Sequence, residues 1–268
     1  MSSCPAKGIP EGTTEGTTES ASHGGSHGTT GGAKGCPHGE TSQRTTATAG
    51  TPLPMDQPEA REALRRAYEK TSRWGSEFPG FTADLLLNCE GNQYKGKVTI
   101  RSPKEVNVQV ELSPDLSSLQ DWAQGQIAMV AAHRSSRPFE EADGKYVLTF
   151  GEEDRHPFGR LVYIHGDGMG SHYRVKEDRI QQVTRVMGRM NFCINVEEAL
   201  TTKDAKFLTT KYTVFYFSPE GLLTSAESTS DHPVEVKGIY LPGSRRIIGA
   251  EKGAVSVRTW ELTHHQLL

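Results

Sequence analysis

The chain has 268 residues, 34% of them hydrophobic and 24% charged, with 28 glycines and 14 prolines. Thirty Lys and Arg against 33 Asp and Glu leave a formal charge of −3, which excludes the global basic field that gathers nucleic acid or an anionic membrane. No run approaches the roughly 18 apolar residues that cross a bilayer as a helix, and the opening MSSCPAKGIPEG lacks the charged and apolar regions of an export signal. A soluble, cytoplasmic protein is therefore expected, with no transmembrane segment and no nucleic-acid partner.

Residues 1–55 are almost entirely Gly, Thr, Ser, Ala, Glu and His, and no aromatic residue precedes Tyr68. Such a stretch buries too little apolar area to offset roughly 1–2 kcal/mol per residue of backbone ordering, so a disordered tail is expected. His23, His27, Cys36 and His38 are candidate metal ligands within it, but their spacing is not that of a closed zinc site, and a bland linker is the simpler reading. The four cysteines, Cys4, Cys36, Cys89 and Cys193, are too few and scattered for a disulfide framework and are expected as free thiols.

Residues 56–268 are expected to form one β-rich domain. A first helix is signalled at 56–74, with Asp56 as cap, Pro58 in the first turn and a stripe of Ala60, Leu64, Ala67, Tyr68 and Thr71. After the Phe78–Phe81 turn the period changes to two, and TADLLLNC, QYKGKVTI and EVNVQVEL read as a three-stranded meander. Ser113 and Pro114 then open a second helix whose stripe is Leu116, Leu119, Ala123, Ile127 and Val130.

Everything after Gly144 reads as strands, among them the three separate segments GLLTSAEST, PVEVKGIYLP and SRRIIGAE, for about 12 or 13 in total. So many strands must curl, split or close, because a twisted open sheet rarely exceeds about 10. The expected fold is mainly β: a large curved antiparallel sheet, half-barrel or barrel, with one N-terminal helix and a second plugging the concave face.

The phrases Phe81-Thr82-Ala83-Asp84, Gly96-Lys97-Val98, Ser218-Pro219-Glu220-Gly221-Leu222 and Val236-Lys237-Gly238-Ile239-Tyr240-Leu241-Pro242 resemble turn and strand elements of the lipoprotein-carrier (LolA/LolB-like) half-barrel. More closely, residues 58–262 resemble the uncharacterised domain-of-unknown-function family numbered 3386, found in cyanobacteria, plants and other bacteria, through FPGFTADL, RPFEEADG, FGEEDRHPFGR and GDGMGSHYRV. The carrier resemblance implies a curved sheet around a helical plug with an apolar hollow. The family resemblance carries no activity or cofactor.

A half-barrel cannot fill its hollow with sheet side chains alone, so a helix or a ligand must complete it. Trp122, Ile127 and Val130 from the second helix, with Tyr163, Tyr212, Tyr216 and Trp260 and the neighbouring Phe215 and Phe217, are the expected cavity lining, although an aromatic stripe in a strand is more often core. The polar constellation His133, Arg137, His156, His165, Asp167, His172 and Arg174 is the candidate rim, or else ordinary turn and surface polarity. Of Arg245 and Arg246, alternation lets only one point inward. No nucleophile elbow or phosphate loop is present, and Cys193 reads as an inert thiol.

Three readings follow. The first is a non-catalytic binding protein for a hydrophobic or amphipathic molecule, of lipid or pigment class, or for a protein partner. The second is a metal-dependent enzyme or metal-delivery protein using the His133–Arg174 cluster, and the third an assembly factor without a small ligand. No cofactor is specified by the residues.

Overall fold

The computed structural model describes residues 54–187 and 190–268; the expected disordered tail and its four candidate metal ligands lie outside them. Two helices, α1 (Pro58–Glu69) and α2 (Ser117–His133), accompany twelve strands. The first three are β1 (Phe81–Cys89), β2 (Asn92–Ser102) and β3 (Glu105–Val110). After α2 come β4 (Val147–Phe150), β5 (Arg160–His165), β6 (His172–Lys176), β7 (Arg179–Met187) and β8 (Met190–Thr201). The chain closes with β9 (Phe207–Phe217), β10 (Leu223–Val236), β11 (Ile239–Glu251) and β12 (Ala254–Leu267).

All pairings are antiparallel, in the order β3-β2-β1-β12-β11-β10-β9-β8-β7-β6-β5-β4. The sheet is curved and not closed, so of the two expected architectures the open one is found. The strand count resolves at twelve because PVEVKGIYLP contains a hairpin turn rather than one strand. Lys237 and Gly238 take φ of 48° and 84° there, and β10 passes through His232 and Pro233 with a register shift. A bulge accommodates the proline, which has no N–H for a ladder.

Helix α1 is shorter than expected but buries the expected stripe, Ala60, Leu64, Ala67 and Tyr68. Asp56 does not cap it. The cap position is Gln57, without a side-chain bond, and the Asp56 carboxylate instead accepts from the Leu148 N–H at 2.8 Å and from Arg61. Gln57 completes the arrangement: its N–H donates to Leu148 O and its Oε1 accepts from Phe150 N–H, both at 2.8 Å. Together the two residues close the free edge of β4.

The opposite edge is closed by α2. Ser113 makes no capping bond, and a single 3-10 turn, Pro114–Leu116, precedes the helix. Gln124 and Gln120 then accept from Val108 N–H and Val110 N–H at 2.8 and 2.9 Å. Their amides donate back to Val106 O and Val108 O at 2.9 and 2.6 Å. Unpaired edge groups invite strand addition, and both edges here are blunted by side chains.

The core is split in two. Beneath α2, the buried Leu119, Ala123, Ile127 and Ala131 pack with Phe81, Leu85, Leu87, Val98, Ile100, Leu241, Trp260 and Leu262. Beneath α1, Leu64 and Tyr68 pack with Phe139, Leu148, Val162, Ile164, Tyr173 and Val175.

Candidate functional site

Directly paired residues of an antiparallel ladder point to one side, so the register traces a single face across the sheet. Leu148 pairs with Ile164 in β5, whose neighbour two positions back, Val162, pairs with Tyr173. The row continues through Val183, Ile194, Val214 and Glu227 to Gly249. Along β11, Ile247 and Arg245 follow by alternation, and Arg245 leads through Trp260 to Leu87. Both buried clusters lie on this side, so both helices pack on the same, concave face.

Between the helices, strands β7–β10 contribute an inward surface that belongs to neither cluster except at its margin. Val183 and Arg185 stand on β7, Phe192, Ile194 and Val196 on β8, and Tyr212, Val214 and Tyr216 on β9. Most of these positions are half-buried rather than buried. Such a row of apolar and aromatic side chains, neither in a core nor facing bulk solvent, is a surface built for contact.

Its polar members are tied to one another. Arg245 is 4% exposed and grips Asp231 with two bonds of 2.7 and 2.8 Å, adding Gln126 at 3.3 Å. Its guanidinium lies 5.8 Å from the ring centres of both Tyr212 and Trp260. Arg246, its sequence neighbour, is exposed, as alternation requires. Burial pushes the Tyr216 hydroxyl well above the usual phenol range, and the carboxylate of Glu227 adds to this. Tyr212 is raised for the same first reason, against which Arg245 pulls it down. On β12, Arg258 sits 5.0 Å from the Trp122 ring of α2.

The expected lining is therefore brought together only in part. Tyr212 and Tyr216 face inward, Trp122 and Val130 of α2 pack at the edge of the cluster beneath that helix, and Ile127 and Trp260 are fully buried within it. Tyr163 lies on the other face, 38% exposed, paired with Thr149 and His172. Phe215 pairs with Cys193 on that same outer side. Residues 215–217 cannot all line one face, because a strand alternates with period two. Ile194, Val214, Arg185 and Glu227 were missed because pairing, and not composition, puts them inward.

The expected rim is dispersed. His165, His172 and Arg174 lie on the outer face, where His165 Nε2 is 2.8 Å from Thr149 Oγ1 and Arg174 pairs with Asp154 at 2.8 Å. Desolvation holds both histidines below the usual imidazole range. His156 caps its own loop through Phe158 N–H at 3.1 Å. Arg137 is exposed and contributes its carbonyl to Tyr68 at 3.1 Å. His133 ends α2, its pKa lowered by desolvation and then by Arg245. Asp167, with its side chain 1% exposed, approaches the concave-face residue Arg185 at 3.8 Å. Among the described residues no three His, Cys, Asp or Glu gather to hold a metal ion.

Two depressions accompany the face. An open one of about 600 Å³ runs beside α1, between Glu62, Arg66, Phe150, Arg160 and Asp178. Arg66 in its wall pairs with Asp178 at 2.8 Å and with Glu62 at 3.5 Å. The other, about 40 Å³, lies under the C-terminal end of α2 and includes Trp74, Val130, Arg134, Leu208 and Trp260 in its wall.

Cys193 is free; burial raises its pKa, and it receives the Thr184 hydroxyl at 3.6 Å. A thiol held protonated in this way is a poor nucleophile.

No curated protein matches the chain. Among solved structures, a LolA superfamily protein of Nitrosomonas europaea is similar at 13% identity and a TM-score of 0.34, covering 78% of this chain and 93% of that one. A domain described as an outer membrane lipoprotein-sorting protein, from Vibrio parahaemolyticus, follows at 8% identity and a TM-score of 0.32, with 78% and 92% covered. The family of proteins of unknown function DUF3386 matches residues 55–268, in agreement with the phrases that suggested it, and the chain belongs to that family.

Proposed function

We propose that this protein is a non-catalytic binding protein for an amphipathic small molecule, seated on the concave face of β7–β10 between the two helices. The observation that carries the reading is the inward pair Ile194 and Val214, flanked by Phe192, Val196, Tyr212 and Tyr216, none of which belongs to either buried cluster, with Val183 at the margin of the α1 cluster. Apolar surface removed from water stabilises a complex by about 25 cal/mol per Å², and hydroxyl and charged groups at the border of such a row orient a ligand with a polar end. Glu227, Arg245 and Arg185 form that border. The charges present are engaged with protein partners and surround no reacting centre, which favours holding over chemistry.

Native mass spectrometry of freshly purified protein tests this, followed by titration of the delipidated chain with dodecanol. The expected result is a released organic mass, or saturable dodecanol binding at micromolar concentration. An apo mass together with no dodecanol binding overturns the proposal.

A further inference from the structure

The small cavity under α2 is lined by two residues whose buried N–H donors the fold leaves unused. Arg134 is 7% exposed and Trp260 1%, and both line this cavity of about 40 Å³. Arg134 Nη2 donates to Tyr240 O at 3.4 Å, a carbonyl that also accepts Trp74 Nε1 at 3.0 Å. Its Nε, and the Nε1 of Trp260, donate to no acceptor among the described residues. Buried N–H groups in native structures are nearly always paired. Two unpaired ones on residues that line the same chamber call for an acceptor that the protein itself does not supply.

The charge of the chamber points the same way. Asp231 is the one carboxylate in its wall, and Arg245 already holds both of its oxygens. Arg134 stands in no salt bridge among the described residues, and burial and the neighbouring Arg73 lower its pKa to about 10. It stays cationic at neutral pH. A chamber of this volume takes about three water-sized groups, the size of a carboxylate's carbon and two oxygens. Two donors suit a carboxylate, whereas a phosphate brings more oxygens and more charge than they can satisfy.

We infer that this cavity seats the carboxylate of a long-chain monocarboxylate, with Arg134 Nε and Trp260 Nε1 donating to its oxygens. The chain leaves past Leu208 and Thr209 of β9, both in the chamber wall, and runs along that strand to the inward residues Tyr212 and Val214. The assignment rests on the amphiphile reading above and names the ligand class for it.

Calorimetric titration of the full chain at pH 8 with dodecanoate, dodecanol and acetate separates the outcomes. Dodecanoate is expected to bind at least tenfold more tightly than dodecanol, and acetate to bind undetectably. Trp260→Phe keeps the ring and removes the donor, and should weaken dodecanoate about three- to tenfold; Arg134→Met should weaken it tenfold or more. Neither should alter dodecanol binding, which also reports that the variants fold. The Trp260 indole N–H resonance should move downfield with dodecanoate and not with dodecanol.

Equal affinities for the two ligands, unmoved by either substitution, would mean that water fills the chamber, overturning the carboxylate assignment while the amphiphile reading stands. Binding of neither ligand removes both. Acetate binding as tightly as dodecanoate overturns the chain's part in the site. Should Arg134→Met lose dodecanol as well, the Trp260→Phe result decides alone.

Discussion

The two ends of the sheet solve one problem with different means. At the β1–β3 end, α2 does everything: its Leu119, Ala123 and Ile127 face fills the core, while Gln120 and Gln124 close the edge of the strand just before it in sequence. At the β4–β7 end the labour is divided. Helix α1 supplies the packing, and Asp56 and Gln57, which precede it, close an edge some ninety residues away in sequence. One end is thus sealed by local contacts and the other by long-range ones, and β8–β10 between them contribute no residue to either buried cluster. The concave face is open in its middle because each helix is committed to its own end.

Core truncations give the largest expected effect and test whether the ends are separate. Leu87 and Leu148 are both 0% exposed, one in each cluster, and Leu→Ala at such sites costs about 2–5 kcal/mol. Each variant is expected to lower the midpoint of urea unfolding by a similar amount. If β8–β10 couple the ends, one transition persists in both; a second transition in Leu148→Ala alone would show that the α1 end unfolds independently.

Much of this division was legible in the sequence. The stripes Ala60-Leu64-Ala67 and Leu119-Ala123-Ile127 and the period-two strands fix which residues are apolar on which element, and alternation at Arg245 and Arg246 identifies the inward one. What composition does not encode is pairing. Asp56 looks like a helix cap because an acid before proline is one, yet the neighbouring unpaired N–H of Leu148 is the stronger claimant, and it is invisible until β4 is placed. Tyr163 and His165 are in the same position: their strand's parity is set only by its ladder with β4 and β6, which turns them outward.

The edge closures should have intermediate effects, and of different kinds. Replacing Gln120 and Gln124 together by Ala removes four hydrogen bonds to β3, with an expected loss of about 2–4 kcal/mol at roughly 0.5–1.5 per bond after partial replacement by water, and light scattering should reveal association through the bared edge. Asp56→Asn, in contrast, keeps an acceptor for Leu148 N–H and removes only the charge facing Arg61. The hydrogen bond from Arg61 holds the Asp56 pKa below its ordinary 3.8. A depressed carboxylate contributes stability that is present above the ordinary value and is lost as pH falls through the folded one. The difference between wild type and variant should therefore be constant near neutrality and vanish in acid. It should stay under about 1 kcal/mol, since both side chains are 33% exposed and screened. A gap that widens in acid would contradict the pairing.

The smallest stability effect is expected where the functional effect is largest. Ile194 is half-buried on β8, paired with Val183 at the margin of the α1 cluster and with Val214 outside both clusters. Because Ile194 is half-buried and belongs to neither buried cluster, mainly the transfer term is lost in Ile194→Ala and unfolding should shift by about 1 kcal/mol or less. Dodecanol affinity, however, should fall several-fold, because the removed methyl groups are those the ligand would cover. The same truncation at Leu87 should reverse the ranking, with a large loss of stability and little change in binding per folded molecule. If Ile194→Ala instead proved as destabilising as the core variants, the middle of the sheet would have to be covered in solution, and the open face would be closed by the protein's own chain rather than by a ligand.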